Sequence, residues 1–248
     1  MTCEHETNCA VPGSPGDLRS LCRIGAIAAF VLIAYSLEMM VQIVALGGQP
    51  GSAAEAFNLL QHHRALALLR LDLPTIAVMP VYYLLFLGLY SALHRCDRAN
   101  ALLSTVLAFA GLTLVLETPT ALSLVPLSDK FAAATTDAVR SQMLSAGEAL
   151  MAADIWHNTG AILGGILIQC GAVLISVVML RGGVFSKLTG WLGIVMHGLD
   201  LAHIVGGLFL PVCGIILLAI AGPLYPIWFF MVGRRLFQLS ARCDFKLP

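Results

Sequence analysis

The sequence predicts an all-α, polytopic membrane bundle of six transmembrane helices with two amphipathic helices on the outer side. Three observations predict it. Of 248 residues, 58% are hydrophobic and 11% are charged, against about 25% charged in soluble domains. The mean hydropathy of +0.87 means more apolar surface than a soluble fold of this length hides from water, so the bilayer takes the remainder. Six separate stretches also reach the roughly 20 apolar residues that a spanning helix needs.

Residues 1–20 read as a flexible cytoplasmic tail, with Gly, Pro and Ser mixed through "MTCEHETNCAVPGSPGDL". Its Cys3, His5 and Cys9 are soft-metal ligand types without a fourth partner. The first span, 24–46, has no small-residue cleavage site after it and reads as a retained helix rather than a signal peptide. The remaining spans are 71–93, 101–126, 157–180, 188–207 and 213–232. Gly206, Gly207 and Pro211 make a tight turn between the last two. Segments 52–70 and 128–154, rich in Ala and Leu at helical spacing, predict the two amphipathic helices. They are expected either to lie on the outer membrane surface or to prolong the neighbouring spans. The transmembrane domain covers 21–236, and 237–248 is a basic cytoplasmic tail suited to a membrane surface.

Basic residues orient the spans. One side carries Arg19, Arg23, Arg95, Arg98, Arg181, Lys187, Arg234, Arg235, Arg242 and Lys246, ten in all, and the other Arg64, Arg70, Lys130 and Arg140, four in all. Ten against four places both termini in the cytoplasm. Trp156 and Trp191 fall at opposite span ends, as an aromatic belt requires. Gly160 to Gly164 forms a small-residue strip for helix contact, and Pro74, Pro80, Pro119, Pro223 and Pro226 are places where a span bends or breaks.

Ionisable groups inside spans are costly and mark candidate sites. They are Glu38, Asp72, Glu117, Asp154, His157, His197, Asp200 and His203. At 1.5 Å per residue, Glu38 lies about 12 Å, Glu117 about 13 Å and Asp200 about 10 Å below the outer boundary. They therefore predict one polar layer in the outer leaflet, with Asp72, Asp154 and His157 at its rim. Asp154 with His157, and Asp200 with His203, repeat an Asp-x-x-His spacing that shares one helix face.

That layer suits binding of an ion or small solute by proton-exchanging groups, or a structural network pinning helices together. It also suits a metal-dependent membrane hydrolase, with His157, Asp200 and His203 holding a divalent metal such as zinc. Haem ligation by His157 and His203 is a further alternative. A retinal Schiff base is excluded, because Lys130, Lys187 and Lys246 all fall outside spans. Zero net charge argues against a nucleic-acid partner, and no P-loop, dinucleotide, GxSxG or HExxH pattern is present.

"IWHNTGAILGGILIQCGAVLISVVMLRGGVFSKLTGWLGIVMHGLDLAH" resembles the later helices of a bacterial membrane family known as domain of unknown function 4386, with His157, Gly160, Arg181, Ser186, Leu192, Gly193 and Asp200 at the family's positions. "RIGAIAAFVLIAYSLEMM" and "LLRLDLPTIAVMPVYYLLFLGLYSALHR" are similar to its early helices, so the resemblance covers roughly residues 20–240. Lys187 stands where the family usually has Pro. The resemblance implies a multi-pass protein of the bacterial cytoplasmic membrane and brings no established activity.

Overall fold

The computed structural model describes residues 15–117 and 121–241. The tail cysteines and His5, and the chain after Ala241, lie outside them. The described residues form eleven α-helices, one 3₁₀ turn and no strand. In order, these are α1 (Pro15–Ala45), α2 (Ala53–His62), α3 (Arg64–Arg70), α4 (Leu73–Leu93), α5 (Arg98–Leu116), the turn Ala121–Ser123, α6 (Leu124–Ala133), α7 (Asp137–Ala152), α8 (Thr159–Gly182), α9 (Lys187–Gly207), α10 (Pro211–Ala221) and α11 (Leu224–Ala241).

Six segments are long and apolar enough to cross a membrane: Leu18–Ala45 of α1, then α4, α5, α8 and α9, and Val212–Ala241, which joins α10 to α11. The chain is a multi-pass integral membrane protein. The spans pack as a closed ring in chain order, α1 on α4, α4 on α5, α5 on α8, α8 on α9, α9 on α10 and α11, and α11 back on α1. Their outer faces carry large exposed apolar side chains such as Ile27, Val41, Leu163, Val195 and Ile215, the surface that lipid covers. Trp156 and Trp191 are both exposed beside the starts of α8 and α9.

Local chemistry places the helix ends. Ser52, Asp97, Thr136, Asn158 and Ser186 cap α2, α5, α7, α8 and α9 by accepting backbone N–H bonds. Gly183 ends α8 in the left-handed conformation at φ 63°, which a side chain would strain. The first span starts earlier than 24, within the segment read as tail, because Pro15 suits a first helical turn. The last span runs beyond 232 to Ala241, where Arg235 Nε donates to the Val184 carbonyl at 2.5 Å.

Two expectations need correction. Neither outer amphipathic segment is one helix: 52–70 divides into α2 and α3 at His63, and the second divides into α6 and α7 at Ala134–Thr136. These four helices make a cap at one end of the ring, around Phe57, Leu60 and Leu124, with the Phe57 and Phe131 rings 5.5 Å apart. The third span ends at Leu116, not 126. Pro119 follows in the sequence, and a proline is a common stop just beyond a helix end.

The sixth span is also broken. Gly222 and Pro223 separate α10 from α11, since a proline lacks the N–H that would continue the helix.

Glycine sets the closest approaches. A Cβ on Gly25 or on Gly88 would lie 2.7 Å from the other's Cα, so α1 and α4 cross nearly backbone to backbone. Gly164, the end of the small-residue strip, meets Gly111 of α5 in the same way, at 2.6 Å from the Gly111 carbonyl oxygen. Gly198 has nothing within 4 Å of an added Cβ. Gly111→Val should therefore destabilise the protein by at least about 1–3 kcal/mol, whereas Gly198→Ala should gain about 0.5–1 kcal/mol. Unfolding in detergent micelles measures both, and equal effects would refute the crossing.

Candidate functional site

Three candidates, His197, Asp200 and His203, lie on α9. Two of them are gathered by residues outside the predicted set, Gln169 of α8 and Tyr225 of α11. Gln169 is buried ten residues into α8, about 15 Å deep at the helical rise. Gly165, one turn earlier, lets α9 come close: a Cβ there would sit 3.0 Å from Ile204 Cδ1.

The Gln169 carboxamide is a fork. Its Oε1 accepts from His197 Nδ1 at 2.6 Å. Its Nε2 donates to Asp200 Oδ2 at 2.5 Å and to the Tyr225 hydroxyl at 3.1 Å. The Tyr225 hydroxyl donates in turn to the same Oδ2 at 2.5 Å. Tyr225 reaches back to this depth because it stands in the first turn of α11, where Cα–Cβ bonds tilt toward the helix N-terminus.

A carbonyl oxygen only accepts, so His197 carries its hydrogen on Nδ1 and Nε2 is an acceptor. That nitrogen is buried with no partner. The imidazole is enclosed edge-on by Tyr225 (ring centroids 5.5 Å apart) and Trp228 (5.0 Å). Trp228 is fixed by its own bond, Nε1 to the Thr189 carbonyl at 3.1 Å. Among the described residues no lysine or arginine pairs with Asp200, so its carboxyl is held by neutral donors.

His203 does not join this cluster. Its Nδ1 bonds the Gly214 carbonyl oxygen at 2.9 Å, tying α9 to α10. The other Asp-x-x-His pair is not on a helix at all. Asp154 to Asn158 is a turn, in which Asp154 Oδ1 accepts from Trp156 N (2.9 Å), His157 N (3.1 Å) and His157 Nδ1 (2.7 Å). Such local bonds from Asp to the backbone compete with helix, and α8 starts only after Asn158. His157 is exposed.

Glu117 is corrected too. It is the exposed C-cap of α5 rather than a member of a layer inside the span. Asp72 is buried at the N-cap of α4. With Gln49, Leu71, Leu124, Leu150, Met151 and Asp154 it lines a cleft of about 330 Å³ under the cap, part of it open to solvent. Glu38 remains inside its span on α1, away from the Gln169 fork.

The single polar layer thus resolves into separate places: the α8–α9–α11 cluster, the rim cleft with Asp72 and Asp154, and Glu38. The metal set fails on geometry. His157, Asp200 and His203 have different partners, and among the described residues no three His, Cys, Asp or Glu side chains are grouped to hold a metal ion. Gln169 and Tyr225 were missed because they are uncharged, although an amide or hydroxyl in an apolar span also needs a partner.

Gln169→Leu strips a partner from both His197 and Asp200, and should cost about 1–3 kcal/mol, the range for buried groups left unsatisfied. Tyr225→Phe removes one donor to Asp200 and the weaker of the two acceptors of Gln169 Nε2, leaves His197 untouched, and should cost less. Chemical unfolding in detergent ranks the two, and a neutral Gln169→Leu would contradict the fork. No family model, no curated protein and no solved structure matches the chain.

Proposed function

We propose that this is a non-enzymatic, ion- or solute-handling membrane protein whose working centre is Asp200 with Gln169, Tyr225 and His197. One observation carries the reading. Asp200 lies seven residues, about 10 Å, inside the cap end of its span, with neutral hydrogen-bond donors, no lysine or arginine paired to it among the described residues, and the His203 imidazole as the one basic group within Coulombic reach. An unpaired carboxylate removed from water costs several kcal/mol. A bound proton or cation removes that cost, so the site is built to exchange one.

Two features support the same reading. The His197 Nε2 lone pair is a second vacant acceptor in the cluster. The break at Gly222 and Pro223 falls just before Tyr225, and discontinuous helices are a recurrent setting for ion and solute sites in transporters. The ten-to-four distribution of basic residues supports cytoplasmic termini and a cap on the outer side. The resemblance to domain of unknown function 4386 supports a bacterial cytoplasmic membrane location.

A structural role is the second reading, favoured by the fact that every hydrogen bond of Asp200 crosses to another helix. Infrared difference spectra of the protein in lipid films, recorded between acid and alkaline pH, separate the two. The expected result is a carboxylic-acid carbonyl band that responds to pH and is absent in Asp200→Asn. It should move to higher frequency in Tyr225→Phe, because a hydrogen bond is lost. A spectrum unchanged by Asp200→Asn at every pH would leave only the structural reading.

A further inference from the structure

Glu38 is the one described glutamate that is not exposed; Glu55, Glu117 and Glu148 all are. Both of its carboxyl oxygens are enclosed by protein, and neither meets a hydrogen-bond donor. It stands seven residues before the end of α1 at Ala45, about 10 Å from the cap end at the helical rise. That is the depth of Asp200 in α9.

The surroundings supply no countercharge. The helices packed on α1 are α4 and α11. Their ionisable groups are Tyr82, Tyr83 and Tyr90 on α4, with Asp72 at its N-cap, and Tyr225, Arg234 and Arg235 on α11. The two arginines lie nine and ten residues beyond Tyr225, toward the opposite end of the bundle. Among the described residues no lysine or arginine forms an ion pair with Glu38.

A polar row leads from Glu38 toward the other carboxyl. One turn back along α1, the Tyr35 hydroxyl shares a 2.8 Å hydrogen bond with Thr75 Oγ1 of α4, and Tyr35 is within Coulombic reach of Glu38. Tyr82, also on α4, is within such reach of both Tyr35 and Asp200. The Tyr82 ring packs edge-on against Phe229 at 6.0 Å, and Phe229 packs on Tyr225 at 5.8 Å. The row Glu38, Tyr35, Tyr82, Asp200 therefore crosses the bundle from α1 through α4 to α9.

An ionised carboxyl with no donor and no cation is the most expensive state a side chain can take inside a bilayer. Since the described residues provide neither, the partner comes from solution. We propose that Glu38 is a second seat for a small monovalent cation, the proton included, at the depth of the Asp200 seat. The protein then holds two such cations at one depth. The two-seat count rests on the reading of Asp200, whereas the Glu38 seat stands on its own geometry.

The test uses the full chain in lipid films, prepared unlabelled, with carboxyl-¹³C glutamate and with carboxyl-¹³C aspartate. Infrared spectra are recorded across pH and on exchange of sodium for choline, a cation too large for the seat. A carbonyl band that shifts with the glutamate label and disappears in Glu38→Gln assigns a proton to the seat. Carboxylate stretches that shift with the glutamate label and respond to sodium against choline assign a metal cation. A glutamate signal that is ionised at neutral pH and indifferent to both exchanges overturns the proposal.

Should Glu38→Gln fail to fold, the label in the wild-type chain still decides. Glu55, Glu117 and Glu148 are exposed and report as water-facing carboxylates, and Glu4→Gln with Glu6→Gln in the labelled chain removes the two remaining glutamates from the spectrum. Asp200→Asn should remove an aspartate-label band and leave the glutamate band in place. A glutamate band without any Asp200-dependent band would preserve this seat while removing the reading of Asp200; the reverse pattern would do the opposite.

Discussion

The carboxamide of Gln169 is the joint on which the α8, α9 and α11 side of this ring depends. Three helices meet at it. One oxygen receives α9 through His197, and one nitrogen gives to α9 through Asp200 and to α11 through Tyr225. Because its two ends have opposite hydrogen-bonding character, the amide decides more than position. It sets the tautomer of His197, leaves Nε2 as a lone acceptor, and presents only donors to Asp200. In water these choices would be shared with solvent. Within a bilayer they are settled by the protein alone, which is why one neutral side chain organises two ionisable ones.

The rest of the ring brings those groups together without adding polar partners of its own. Gly25 against Gly88 and Gly111 against Gly164 let backbones touch, and single bonds such as Tyr35 to Thr75 and Ser104 to the Gly171 carbonyl add to that contact. The cap has a different character. Its short helices are joined by exposed or half-exposed pairs, Arg70 with Glu55 at 3.1 Å and Arg64 with Asp129 at 3.5 Å. Pairs of that kind contribute about 0–1 kcal/mol each, so the apolar cluster around Phe57 is what holds the cap together.

The architecture was legible in the sequence because span length and hydropathy are enforced by bilayer thickness. The turn Gly206–Pro211 and the strip ending at Gly164 were legible for the same reason: few residue types serve there. The site was less so. Counting charged residues found His197 and Asp200 but passed over Gln169 and Tyr225, whose polarity is diluted in apolar runs. Helical spacing misjudged Asp154 and His157, since Asp154 bonds its own following backbone and holds a turn instead. Glu117 was placed too deep because the apolar run continues in the sequence beyond Leu116, where α5 ends.

The two groups of "DLAH" sit one turn apart on α9, yet they hold opposite sides of the gap at Gly222 and Pro223. His203 grips α10 through the Gly214 carbonyl, and Asp200 grips α11 through Tyr225. The motif is a splint across a fracture. Its two grips differ in kind, since the His203 grip is to backbone, whereas the Asp200 grip depends on what its carboxyl carries. On the proposed reading, loading or emptying Asp200 would change one of the two grips and leave the other as it is, so that occupancy would be felt first at the start of α11, where Tyr225 stands.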